Sequence, residues 1–165
     1  MTESEWLTCA DPDAMLEFLG KAADDRALRR FACACCRRIW TLIRDERSRR
    51  AIVVAEQFIH DLASAKELQS AAAEALDAAA ADGDGGQEVV AAAAAADLEL
   101  NAVAAAYSAA WAKADATGDD AVAAGAIDAS AYEEFTRKDF LEERSEQAAL
   151  LREIVGNPFR QVAQS

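Results

Sequence analysis

The chain has 165 residues, 43 of them alanine, and a formal net charge of −13. It is long enough for one domain with its own core, without help from disulfides or metal. Two prolines, seven glycines and few β-branched residues argue against an all-β fold, and the acidity disfavours nucleic acid and anionic membranes as partners, because the whole-chain field repels polyanions.

The predicted elements are all helices. Thr2-Glu3-Ser4-Glu5 reads as a capping box that starts a short helix near Glu3. Asp11 followed by Pro12 reads as N-cap and first helical position, with Gly20 closing the turn. Asp24 or Asp25 caps a third helix to about Arg44, and Asp45 a fourth to about Ala63. Ser64-x-x-Glu67 is a second capping box, opening a helix to about Ala81. Asp82-Gly-Asp-Gly-Gly86 is the clearest break. A sixth helix is expected over 87–116, ended by Thr117-Gly118-Asp119, and a seventh over 120–155, ended by Gly156-Asn157-Pro158. Gly125, Asp128 and Ser130 are able to split the first turns of the seventh from the rest.

The fold class is therefore all-α, a single domain over 1–165. A compact head, 1–63 with 137–160, is expected to carry a projecting antiparallel hairpin of alanine-rich helices over about 64–136. Val89, Leu98, Leu100, Val103, Tyr107 and Trp111 are its large anchors, at the three-to-four spacing of a packed stripe. Leu150, Leu151, Ile154, Val155 and Phe159 at one end, and Trp6, Leu7, Met15, Leu16, Phe18 and Leu19 at the other, are expected to meet on the Leu28–Leu42 stripe of the head.

The most informative stretch is Asp24–Arg50. On a helical wheel Leu28, Phe31, Cys35, Ile39 and Leu42 form a buried stripe, Arg26, Arg30, Arg37 and Arg44 lie opposite, and Cys33 sits beside them. Cys35 reads as a small core residue. Cys33 and Cys36, three apart, are neighbours on the surface of the helix, able to hold half a metal site or to react as a dithiol, and one thiol is expected to stay partly exposed. A structural zinc site needs four ligands, and Cys9 and His60 are the remaining candidates, with His60 expected to face solvent. Packing is the favoured reading of the thiols.

Charge is uneven along the chain. Residues 21–50 carry ten bases and four acids, a net of +6, and residues 51–136 carry two bases and sixteen acids, a net of −14. Arg26, Arg30, Arg37, Arg44, Arg47 and Arg50 are thus candidate partner-binding residues for a carboxylate or phosphate surface, since guanidinium pairs bidentately with both. The favoured alternative is that they neutralise the chain's own acids.

No motif supports catalysis or a cofactor. The single histidine gives no Glu-x-x-His pair for a di-iron bundle, and Gly83-Asp84-Gly85-Gly86 lacks the lysine and preceding strand of a phosphate loop. No secretory leader or spanning segment is legible, so a cytoplasmic location with reduced cysteines is expected.

Glu5-Trp-Leu with Asp11-Pro12 and Met15-Leu-Glu-Phe-Leu19, Phe31-Ala-Cys-Ala-Cys-Cys-Arg-Arg-Ile-Trp40 with Asp45-Glu-Arg-Ser-Arg49, and Ala148-Ala-Leu-Leu-Arg152 with Gly156-Asn-Pro-Phe-Arg160 together resemble an uncharacterised paralogous family of planctomycete bacteria of the Gemmata type. The resemblance covers about a third of the chain and skips the alanine-rich middle. Relatives continue past the Asn-Pro-Phe-Arg motif, so it implies a short or truncated member. It carries no activity to any residue, and its cysteine string suits packing and thiol chemistry equally. The function expected from the sequence is a non-catalytic protein-interaction or scaffolding module with a protein partner, a homodimer being permitted. The alternatives are a metal or thiol-redox protein using Cys33 and Cys36, and a nucleic-acid or acidic-partner binder using the arginines.

Overall fold

The structure is a computed structural model that describes residues 1–20, 23–81, 86–97, 101–128 and 130–160. Among the described residues there are eight helices and no strand: α1 (Glu3–Thr8), α2 (Pro12–Leu19), α3 (Asp25–Arg38), α4 (Glu46–Ile59), α5 (Ala65–Ala81), α6 (Gln87–Ala96), α7 (Ala102–Ala123) and α8 (Tyr132–Val155). The fold class is all-α, a helical bundle. No helix among these is long and apolar enough to cross a membrane.

Helix starts follow the polar residues that satisfy free N–H groups. Thr2 Oγ1 accepts from Glu5 N at 3.2 Å while Glu5 Oε2 accepts from Thr2 N at 2.7 Å, the reciprocal pair of a capping box. Ser64 and Glu67 repeat it ahead of α5. The carboxylates of Asp11, Asp24 and Asp45 accept from the backbone two residues on. Gly20 and Gly156 close α2 and α8 at φ +48° and +80°, a region glycine enters at little cost.

Four boundaries differ from expectation. α3 stops at Arg38 and α4 at Ile59, each followed by tight turns. The helix expected over 87–116 is interrupted between Ala96 and Ala102, where Asn101 Oδ1 accepts from Ala104 N at 2.9 Å and starts α7 afresh. Conversely, α7 runs straight through Thr117-Gly118-Asp119. Thr117 donates its hydroxyl to Lys113 O, four residues back. Gly118 is buried where α7 crosses α8: a Cβ there would lie 2.5 Å from Thr136 Cγ2 and 2.8 Å from Tyr132 Cε2. This glycine serves close packing, and the chain turns later, around Gly125 at φ +69°. Of the expected alanine-region anchors, Leu98, Leu100 and the side chain of Val89 lie outside the described residues, as do the first residues of the Asp82–Gly86 break.

The alanine helices do not project, which corrects that expectation. α5 and α6 pack on α4, α6 and α7 pack on each other and on α3, and α7 packs on α8. Ala71, Ala75, Ala91, Ala92, Ala105 and Ala109 belong to the same core as Phe31, Ile52, Leu68 and Leu151. Alanine seams let helices approach closely, and the large residues of α3 and α4 supply the volume that alanine lacks. The chain's two ends meet as expected, except that Leu7 faces outward and is 51% exposed. Arg152 Nη1 donates to Cys9 O at 2.7 Å, Asn157 Nδ2 to Glu3 Oε1 at 2.7 Å, and Phe18 stacks on Phe159 with centroids 5.4 Å apart.

Candidate functional site

Helix α3 is the hub of the bundle, touching α4, α6, α7 and α8. That placement decides the fate of its cysteines. Cys33 is 2% exposed, and Cys35 and Cys36 are fully covered. The expectation that one of these thiols stays partly exposed is therefore corrected: a wheel gives direction, but it does not say how many neighbours surround a helix. Burial pushes the Cys33 thiol up to about 12, with the Glu56 carboxylate adding to the effect. Burial also pushes Cys35 and Cys36 well up. A thiol that stays protonated is a poor nucleophile and a poor metal ligand. Cys9 lies apart on the α1–α2 link, where its Sγ donates to Asp11 O at 3.3 Å. Among the described residues, no three His, Cys, Asp or Glu side chains gather closely enough to hold a metal. His60 is exposed at the end of α4, as expected.

Four of the six candidate arginines face the chain's own carboxylates. Arg26 forks onto Asp61 at 2.7 and 2.9 Å and also donates to Ile59 O. Arg37 forks onto Glu56 at 2.7 and 2.5 Å and lies 4.0 Å over the Trp40 ring. Arg47 pairs with its neighbour Asp45, and Arg50 with Glu74 at 2.7 Å. Arg30 and Arg44 are exposed and make no hydrogen bond or ion pair among the described residues. The six do not form one unpaired basic face.

A second set of polar side chains, not foreseen from the sequence, ties the bundle together from inside. Glu143 of α8 is 2% exposed and accepts from both Arg38 of α3 and Lys113 of α7. Burial raises its carboxyl, but the hydrogen bonds from Arg38 and Lys113 outweigh burial and hold it below its ordinary value. Gln147, one turn on, donates to Ala106 O at 2.8 Å and accepts from Arg144. Arg29 is buried and donates to Ala95 O and Asp97 O at 3.0 and 2.7 Å, taking up carbonyls at the end of α6. The sequence signal was the spacing of Glu143, Gln147 and Leu151, polar residues four apart in line with a core leucine.

Among the described residues, no helix covers one face of α3. Between α4 and the last turns of α8 runs an open groove of about 620 Å³. Its floor comes from Cys33 and Ala34 of α3, Val53 and Ile59 of α4, and Leu150 and Ile154 of α8. Arg30, Arg37 and Arg38 stand along its α3 side, Glu56, Gln57 and His60 along its α4 side, and Leu62, 76% exposed, beyond the end of α4. Two other hollows differ in chemistry. The α5–α6 seam is lined by alanines with Leu76 and Val90, and the one beside Arg44 gathers Glu88, Asp115 and Asp119. Comparison with family models, curated proteins and solved structures gives no match.

Proposed function

We propose that this chain is a non-catalytic, cytoplasmic protein-interaction module, and that its contact surface is the open groove on α3. One observation carries the reading. The hub helix is enclosed by α4, α6, α7 and α8, while the face holding Arg30, Ala34 and Arg37 has apolar walls and, among the described residues, no helix in it. A concave surface with an apolar centre and a charged rim is the anatomy of a protein contact site. Small-molecule chemistry finds less support: the thiols beneath the floor are buried, and most of the nearby arginines already hold carboxylates.

The test fills the groove without touching the core. Ala34 is half-buried on the floor, so Ala34→Trp blocks the site, while Leu141→Ala on the outer face of α8 serves as a control. The full chain, purified from its own cells under mild conditions, is expected to carry a protein partner at fixed stoichiometry by native mass spectrometry. Ala34→Trp loses that partner and Leu141→Ala keeps it. A partner retained by folded Ala34→Trp contradicts the assignment.

A further inference from the structure

We infer that the groove on α3 accepts an acidic amphipathic helix from another protein. The inference rests on the reading of the groove as a contact surface and deepens it by naming the occupant's chemistry.

Shape favours a helix. The open face of α3 is drawn from Arg30, Cys33, Ala34 and Arg37, the i, i+3, i+4 and i+7 positions that form one ridge of a helix. From Arg30 to Arg37 the ridge is about 10 Å long. Walls from α4 and α8 flank it, so the space has the cross-section of a missing bundle member. An extended peptide would find no sheet edge among the described residues with which to share its backbone hydrogen bonds, since the walls are helices whose main-chain groups are already paired. A helix brings its own. Its apolar side chains at three-to-four spacing would rest on Ala34, Val53, Leu150 and Ile154.

Charge fixes the sign. The lining holds three arginines and one carboxylate, Glu56, in a chain of net charge −13. Arg37 is held by Glu56, and Arg38 reaches back to Glu143. Among the described residues the Arg30 guanidinium has no partner, and it stands at the rim. A carboxylate one turn from the occupant's apolar stripe would pair with Arg30. A basic helix would meet the unpaired Arg30 and find Glu56 already taken by Arg37, so among the described residues the groove offers it no free carboxylate.

The probe is a synthetic helical peptide of about 18 residues, with leucines at helical spacing flanked by glutamates, and a matched peptide with lysines in place of the glutamates. Fluorescence anisotropy against the full chain is expected to show the acidic peptide binding at least about tenfold more tightly. Raising salt should weaken it. Arg30→Glu is expected to weaken it by about fivefold or more, and Arg44→Glu, at another exposed arginine that lies outside the groove, to leave it unchanged. Equal binding of both peptides, or equal loss with Arg30→Glu and Arg44→Glu, overturns the inference. So does a chain that dimerises in sedimentation and becomes monomeric with Arg30→Glu, which would give the groove to a second copy. If Ala34→Trp releases the cellular partner while the peptides fail to discriminate, the contact surface stands and only its acidic occupant is refuted.

Discussion

Glu143 is the residue on which the interior electrostatics turn. Its carboxylate is buried between cations from two other helices, so its charged form is favoured in the folded state. Asp45, which caps α4 and holds Arg47, is likewise drawn down to about 2, chiefly by its hydrogen bonds to Arg47. Both shifts are downward, so the unfolded chain takes up protons first as pH falls. Their contribution is complete above the ordinary carboxylate values and is lost as pH falls through the folded ones. Urea unfolding midpoints should therefore hold steady near neutral pH and decline in the acid range, toward about pH 2 for the Asp45 contribution. Glu143→Gln should cost about 1–3 kcal/mol at neutral pH, because it removes the anion between two cations and leaves one oxygen where two accepted. It should also flatten the decline. An unchanged pH profile in that variant would contradict this assignment. The cysteines give a second check at this scale. With Cys33, Cys35 and Cys36 buried and Cys9 half-buried, a thiol reagent at mildly alkaline pH should label Cys9 quickly and the others only as the chain unfolds. A second fast thiol that vanishes in Cys33→Ser would show the floor of the groove to be open.

At the scale of elements, the α7–α8 crossing is set by Gly118. Alanine would raise intrinsic helix propensity there by about 0.5–1 kcal/mol, but its methyl would overlap Thr136 Cγ2. Thr136 is buried and its hydroxyl is bonded back to Tyr132 O at 3.0 Å, so it has little room to yield. Overpacking of this kind costs about 1–3 kcal/mol. Gly118→Ala should therefore lower the melting temperature, and Thr136→Ser, which removes the methyl, should recover part of the loss in a double-mutant cycle, the Tyr132 ring still standing 2.8 Å away. Additive effects would mean the two residues are not coupled. This glycine also shows where sequence reading fails. Thr-Gly-Asp looks like a turn because those residues favour turns locally, yet tertiary packing uses the glycine for its lack of a side chain. The caps at Thr2, Asp11, Asp45 and Ser64 were legible because a cap is a local exchange of hydrogen bonds. The restart at Asn101 has the same physics but stood inside a run of good helix formers that masked it.

At the scale of the whole molecule, what the sequence conveyed was class and not arrangement. Alanine sets helix strongly and facing weakly, since a methyl on every side gives no preferred stripe. The alanine helices could thus be foreseen as helices but not as members of the common core. The reverse holds for the arginines. Their total was sufficient to foresee internal neutralisation, and Arg26, Arg37, Arg47 and Arg50 do pair within the chain. Which arginine would be left over was not legible, because it depends on where Glu56, Asp61 and Glu74 fall in space. The groove emerges only here, as the face of α3 that remains after four helices have taken their places. Its role as the contact surface is tested most directly by a photo-crosslinking amino acid placed, in the cell, at Gln57 on the groove wall, at Gln69 on the α5–α6 seam and at Leu141 on the outer face of α8. The account predicts one discrete protein adduct at Gln57 that disappears with Arg30→Glu, and none at the other two positions. An adduct at Gln69 or Leu141 with none at Gln57 would place the contact surface elsewhere and contradict it.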